Sequence, residues 1–94
     1  MNGALADRVV VPDRVVTRSV RGSTVLLNTE TGRYFTLDEI GSRSWALLTS
    51  CASVGEARDC LLAEFAADPD LLTHDLQALV EELTARGLVE ISGV

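Results

Sequence analysis

The stretch Leu26-Leu27-Asn28-Thr29-Glu30-Thr31-Gly32-Arg33-Tyr34-Phe35-Thr36-Leu37-Asp38-Glu39-Ile40-Gly41 changes its period partway along, and that change decides the fold. Before Asp38, β-branched, aromatic and aliphatic residues flank Thr31-Gly32, whose glycine has no Cβ to oppose positive φ. This spells a hairpin. From Asp38 onward the apolar residues fall at helical spacing, and Asp38 itself suits the cap that accepts the free N–H groups of a first turn. Strand, turn, strand and helix start are therefore expected in that order.

Working back from the hairpin, Val9-Val10-Val11, Arg14 to Val20 and Ser23 to Asn28 also read as strands, with Arg21-Gly22 as a second turn. Three consecutive short strands joined by tight turns predict an antiparallel meander ending in a third strand, Arg33 to Leu37. Pro12 has no N–H to donate, so it belongs at a sheet edge or before the first ladder. Working forward, the first helix runs to about Thr49 and carries Ile40, Trp45, Leu47 and Leu48. Ser53-Val54-Gly55-Glu56 is a capping-box spelling for a second helix, whose Val54, Ala57, Leu61 and Phe65 fall on one apolar stripe. Asp68-Pro69 opens a third helix with Leu72, Leu76, Leu79, Val80 and Leu83 on one face. Arg86 and Gly87 close it, and Leu88 to Ile91 form a short extended tail. The expected fold is α+β: a winged helix-turn-helix-like arrangement in the order β-β-β-α-α-α. It fills a single domain over 1–94, with an ordered core at about 9–91.

Composition narrows the function. The 94 residues, 47% hydrophobic and 23% charged, suit one small globular domain able to bury roughly 60–65% of its unfolded surface. No apolar run approaches the ~20 residues of a membrane helix, and the Met-Asn-Gly-Ala start has no signal-peptide pattern. A cytoplasmic protein with no membrane partner is expected. The net charge is −6, and all eight basic residues are arginine. Residues 1–37 carry net +2 and residues 38–94 net −8, so the helical half is the acidic half. Nucleic-acid affinity rests on Lys and Arg at phosphates, which argues against a DNA or RNA binder and against a winged-helix regulator.

Catalytic constellations are sparse. Nucleophilic catalysis needs Cys or Ser beside an oriented His. The one histidine, His74, adjoins Asp75, but helix neighbours point about 100° apart and form no relay by themselves. Cys51 and Cys60 have neither disulfide-framework nor metal spacing, and no phosphate loop is present. The acids Glu81, Glu82, Glu64 and Asp59 read as a solvated face, and Trp45 as core. No cofactor, metal or catalytic residue is expected, and the protein reads as a non-catalytic adaptor. What remains is an open sheet edge beside the third helix, a place where an added strand can pair.

The quoted stretch, followed by Trp45-Ala46-Leu47-Leu48, resembles the PqqD-like family of precursor-recognition domains for ribosomally made, post-translationally modified peptides. The later segments Asp75-Leu76-Gln77-Ala78-Leu79 and Leu83-Thr84-Ala85-Arg86-Gly87-Leu88-Val89 continue the resemblance, which runs from about Val15 to Val89. Asp38 stands where the family commonly has Asn, and Ser44 where an aliphatic residue usually precedes the Trp. The resemblance implies binding of a precursor's leader segment as an extra antiparallel strand on the third strand, with side chains packed against the third helix. The candidate lining is Arg33, Tyr34, Phe35, Thr36, Leu37, Asp75, Leu76, Leu79, Val80 and Leu83, with the parity that faces the groove left open. The implied partners are the leader, a leader peptidase and a macrolactam cyclase, because the chain looks most like the free-standing recognition proteins of lasso-peptide clusters. The alternative is a peptide chaperone for a radical enzyme in quinone-cofactor biosynthesis.

Overall fold

The computed structural model describes residues 3–92. A short helix α1 (Gly3–Ala6) leads into β1 (Arg8–Val10), then the meander β2 (Val15–Val20), β3 (Ser23–Asn28) and β4 (Arg33–Leu37). Three helices follow, α2 (Glu39–Ser50), α3 (Val54–Glu64) and α4 (Pro69–Ala85), and β5 (Glu90–Ser92) is the last element among the described residues. The α+β arrangement of a three-stranded antiparallel meander followed by three helices is thus present. It is extended by a second sheet that the linear reading did not contain, in which β1 pairs antiparallel with β5. The Val9 stretch and the tail after Gly87 therefore clamp the two ends together, with Val9 opposite Ile91. Pro12 lies between the two sheets, where its carbonyl accepts from Val15 N–H at 3.0 Å.

Local chemistry accounts for the element boundaries. Arg21 (φ 51°) and Gly22 (φ 84°) are both left-handed, which is the type I′ geometry that matches strand twist in a two-residue hairpin. Asp38 caps α2 by accepting from Gly41 N–H at 2.7 Å, and Ser53 caps α3 by accepting from Glu56 N–H at 3.1 Å. Asp68 accepts from both Asp70 and Leu71 N–H, and Pro69 takes the first turn of α4, where its missing N–H costs nothing. At the other end, Leu88 N–H bonds to Leu83 C=O and Gly87 N–H to Thr84 C=O, a Schellman closure with Gly87 at φ 70°.

The core forms where one face of the meander meets the helices. Thr24, Leu26 and Asn28 of β3 are buried, alternating with half-buried neighbours, so this parity faces inward. Leu26, Leu48, Val54, Leu61, Leu83, Leu88 and Val89 are sealed almost completely, and Trp45 joins them. The stripe expected on the second helix holds for Val54, Ala57 and Leu61 but not for Phe65. Phe65 is the cap residue, its backbone extended (φ −121°, ψ 132°), and it remains 36% exposed because the helix stops before that position turns inward. Ile40 of α2 is 57% exposed. Ser44, in place of an aliphatic residue, is buried, and its Oγ donates to Ile40 C=O at 2.9 Å, so no polar group is stranded. Arg43 reaches across to Glu64 (Nε to Oε1, 2.8 Å) and ties α2 to α3; that hydrogen bond holds the Glu64 carboxyl below its usual range.

Candidate functional site

The open edge of β4 and the flank of α4 beside it make up the candidate site. Among the described residues β4 pairs on one side only, with β3. In an antiparallel ladder each residue directs its N–H and C=O to the same side, and the sides alternate. The two-residue turn makes Val20 and Ser23 a hydrogen-bonded pair, so Ser23, Val25 and Leu27 bond toward β2. Thr24, Leu26 and Asn28 then bond toward β4, opposite Leu37, Phe35 and Arg33. Tyr34 and Thr36 are left with their main-chain donors and acceptors pointing out of the sheet.

The same alternation places the side chains. Arg33, Phe35 and Leu37 share the face of Leu26, toward the helices, while Tyr34 and Thr36 lie on the opposite face. Leu37 is buried, Phe35 half-buried, and Tyr34 is 70% exposed. On α4, Leu76, Val80 and Leu83 are buried and anchor the helix to the core, Leu79 is half-buried, and Asp75 is exposed.

Two concavities flank α4, and the larger borders this edge. One, of about 400 Å³, lies between the start of β4 and the end of α4, walled by Arg33, Tyr34, Phe35, Ala85, Arg86 and Leu88 together with Thr31. The Arg86 guanidinium lies 4.8 Å from the centre of the Phe35 ring, a cation–π contact, while its Nε donates to Glu82 at 2.8 Å. The other, of about 180 Å³, lies between the first turns of α2 and the first half of α4, lined by Ile40, Gly41, Ser44, Leu72, Asp75, Leu76 and Leu79. On the α2 side a Cβ at Gly41 would stand 3.2 Å from Asp38 Oδ1 and 3.3 Å from Leu37, so the helix start packs closely on the end of β4. Of the ten residues singled out from the sequence, Arg33, Tyr34 and Phe35 reach the first concavity and Asp75, Leu76 and Leu79 the second. Leu37, Val80 and Leu83 are buried in the core, and Thr36 offers the edge its backbone.

Residues that the sequence reading assigned elsewhere also line the site. Arg86, a helix stop in the sequence, and Ile40, an apolar residue of the first helix, both line these concavities. Ser44, the departure from the family pattern, also lies in the lining of the smaller recess.

Asn28 joins the larger concavity to the sheet. Its buried amide donates to Arg86 C=O and Gly87 C=O, each at 3.4 Å, while its Oδ1 accepts from Glu30 N–H at 3.0 Å and Thr31 N–H at 3.4 Å. One side chain thereby holds the β3–β4 turn and the end of α4 in fixed relation. Arg14 adds a bond from Nε to Gly87 C=O at 3.1 Å.

Other chemistry lies away from the groove. Burial, and next the neighbouring Cys60, push the Cys51 thiol above its ordinary value, which disfavours a reactive thiolate. Among the described residues no group of three or more His, Cys, Asp or Glu is placed to hold a metal ion. No helix among them is long and apolar enough to cross a membrane.

Comparison with known proteins meets the same elements. The family model described as Coenzyme PQQ synthesis protein D (PqqD) matches residues 23–89, from β3 to the residue before β5. The solved structure "TbiB1 in Complex with the TbiA(beta) Leader Peptide" superposes with a TM-score of 0.81 at 34% identity, covering 86% of this chain and 94% of that one. "Lasso peptide synthetase B1 complexed with the leader peptide" superposes with a TM-score of 0.80 at 19% identity, covering 88% of this chain and 98% of that one, a likeness of fold. No curated protein sequence matches the chain significantly.

Proposed function

The chain belongs to the PqqD family, and from that membership we propose that it binds the leader segment of a ribosomally made precursor peptide and delivers it to processing enzymes in lasso-peptide biosynthesis. The observation that carries this reading is the unpaired edge of β4 beside the groove against α4. The leader adds as an antiparallel strand, and its side chains enter the two concavities. Magnitudes require both parts. The outward groups of Tyr34 and Thr36 give a few main-chain hydrogen bonds, each worth about 0.5–1.5 kcal/mol net. Micromolar affinity needs about −8 kcal/mol after the cost of association, so apolar contact with Phe35, Leu79 and Leu88 must supply the rest. A second reading follows from the family model's own description: carriage of a peptide substrate in quinone-cofactor synthesis uses the same groove.

A labelled leader peptide should give a saturable polarisation change at sub-micromolar to micromolar protein, and duplex DNA at moderate salt should give none. The acids on α3 and α4, among them Asp59, Glu64, Asp75, Glu81 and Glu82, repel phosphate. Equal or stronger binding to DNA would overturn the reading.

The protein acts in the cytoplasm as an adaptor without chemistry of its own, beside a leader peptidase and a macrolactam cyclase. Holding leader and peptidase together raises the local concentration into the millimolar range, so leader removal should accelerate strongly at low precursor and less as free precursor approaches millimolar levels. Joint substitution of Cys51, Cys60 and His74 should preserve that acceleration. A folded triple variant that binds leader but no longer supports cleavage would assign one of the three a chemical role.

A further inference from the structure

The two ends of the groove differ in charge as well as in size. The larger concavity is lined by two arginines, Arg33 and Arg86, together with the apolar Phe35, Ala85 and Leu88, and the Arg86 guanidinium lies over the Phe35 ring. Among the described residues Arg33 makes no side-chain ion pair, and the ion pair of Arg86 is the exposed i,i+4 bridge to Glu82, beside its contact with the Phe35 ring. A guest carboxylate can compete for that bridge at little cost, because solvent-exposed ion pairs of this kind contribute little. At the smaller recess the one charged lining residue is Asp75, exposed at the rim above Ile40, Leu72 and Leu79. The arginine nearest in sequence to that lining, Arg43, is turned to Glu64. The larger concavity takes in the start of β4, at Arg33, Tyr34 and Phe35, and the smaller one takes in Ile40 and Gly41, which follow the end of β4 in the chain.

We propose that this charge polarity reads the sequence and direction of the bound peptide: a bulky apolar residue with a neighbouring carboxylate at the Arg33–Arg86 end, and a smaller apolar residue with a neighbouring cation at the Asp75 end. The proposal rests on strand addition to β4 and specifies its substrate class. An antiparallel guest puts its C-terminal side beside Arg33, where β4 begins, and its N-terminal side beside Asp75. Backbone pairing alone is indifferent to sequence, and charges misplaced by reversal or by a register slip meet like charge at both ends. Electrostatics therefore supplies discrimination more than affinity.

The test uses a displayed library of random 14-residue peptides sorted on the full-length protein, with a counter-sort on a folded variant whose β4 edge is blocked by proline at position 36. Peptides that depend on the edge should be enriched in acids over bases in their C-terminal half and in bases over acids in their N-terminal half, about threefold to fivefold at low salt and less at high salt. The double variant Arg33→Glu, Arg86→Glu should invert only the C-terminal preference, and Asp75→Lys only the N-terminal one. Edge-dependent binders with no charge asymmetry, or with the opposite one, would overturn this proposal and leave leader docking standing. A library yielding no edge-dependent binders would overturn both.

Discussion

Replacing Thr36 by proline should leave the protein folded and weaken leader binding about tenfold or more, whereas proline at the adjacent Phe35 should unfold it. The contrast comes from ladder parity. Thr36 is exposed, and its N–H points out of the sheet, so proline there removes no internal bond and occupies an edge position that strands tolerate. A guest strand, however, loses a donor and meets the pyrrolidine ring where it must pair. Phe35 sits opposite Leu26, exchanges its hydrogen bonds with β3 and packs its ring against the core and Arg86. Proline there breaks the ladder and removes the ring, a loss of about 3 kcal/mol or more. Circular dichroism melts and leader polarisation on the two variants separate the effects. A folded Thr36→Pro protein with unchanged affinity would show that β4 is not the docking edge.

Asn28→Ala should be the most damaging change outside the apolar core. The buried amide serves four main-chain partners, two in the β3–β4 turn and two at the end of α4. Losing them should cost about 2–3 kcal/mol, which in a domain of this size lowers the melting temperature by roughly 10–20 °C. Gly87→Ala should act on the same joint from the other side. A Cβ there would sit 3.1 Å from the Asn28 amide nitrogen, on a backbone at φ 70° that costs an L-residue roughly 1–2 kcal/mol. Because the joint positions Arg86 over Phe35, the surviving folded fraction of either variant should also bind leader more weakly. Thermal melts read the first effect, and polarisation at a temperature where the variant is folded reads the second. An Asn28→Ala protein as stable as the parent would mean that water replaces the amide and that the joint is not structural.

Much of this molecule is legible in its linear sequence, because the determining interactions are short-range. Asp38, Ser53 and Asp68 bond to groups two or three residues ahead, Gly87 closes a helix within six residues, and Arg21-Gly22 turns a chain on two dihedrals. Such features place the meander, the three helices and their order. The hairpin and tryptophan residues also carried the family resemblance, and with it the region of the site. Tertiary structure decided the rest. Period-two alternation in Arg33 to Leu37 separates Phe35 and Leu37 from Tyr34 and Thr36, but each set holds an aromatic, so polarity could not say which faces inward. The register with β3 decides it. The pairing of β1 with β5 joins segments some eighty residues apart, and neither is long enough to declare a partner. Phe65 kept the spacing of a core stripe and lost the contact because α3 ended first. Arg86 belongs to the groove only because Asn28, far away in sequence, fastens the end of α4 to the sheet and sets the guanidinium over Phe35. Local bonds are written in neighbouring residues. A groove exists only between elements, where its walls depend on how the chain packs.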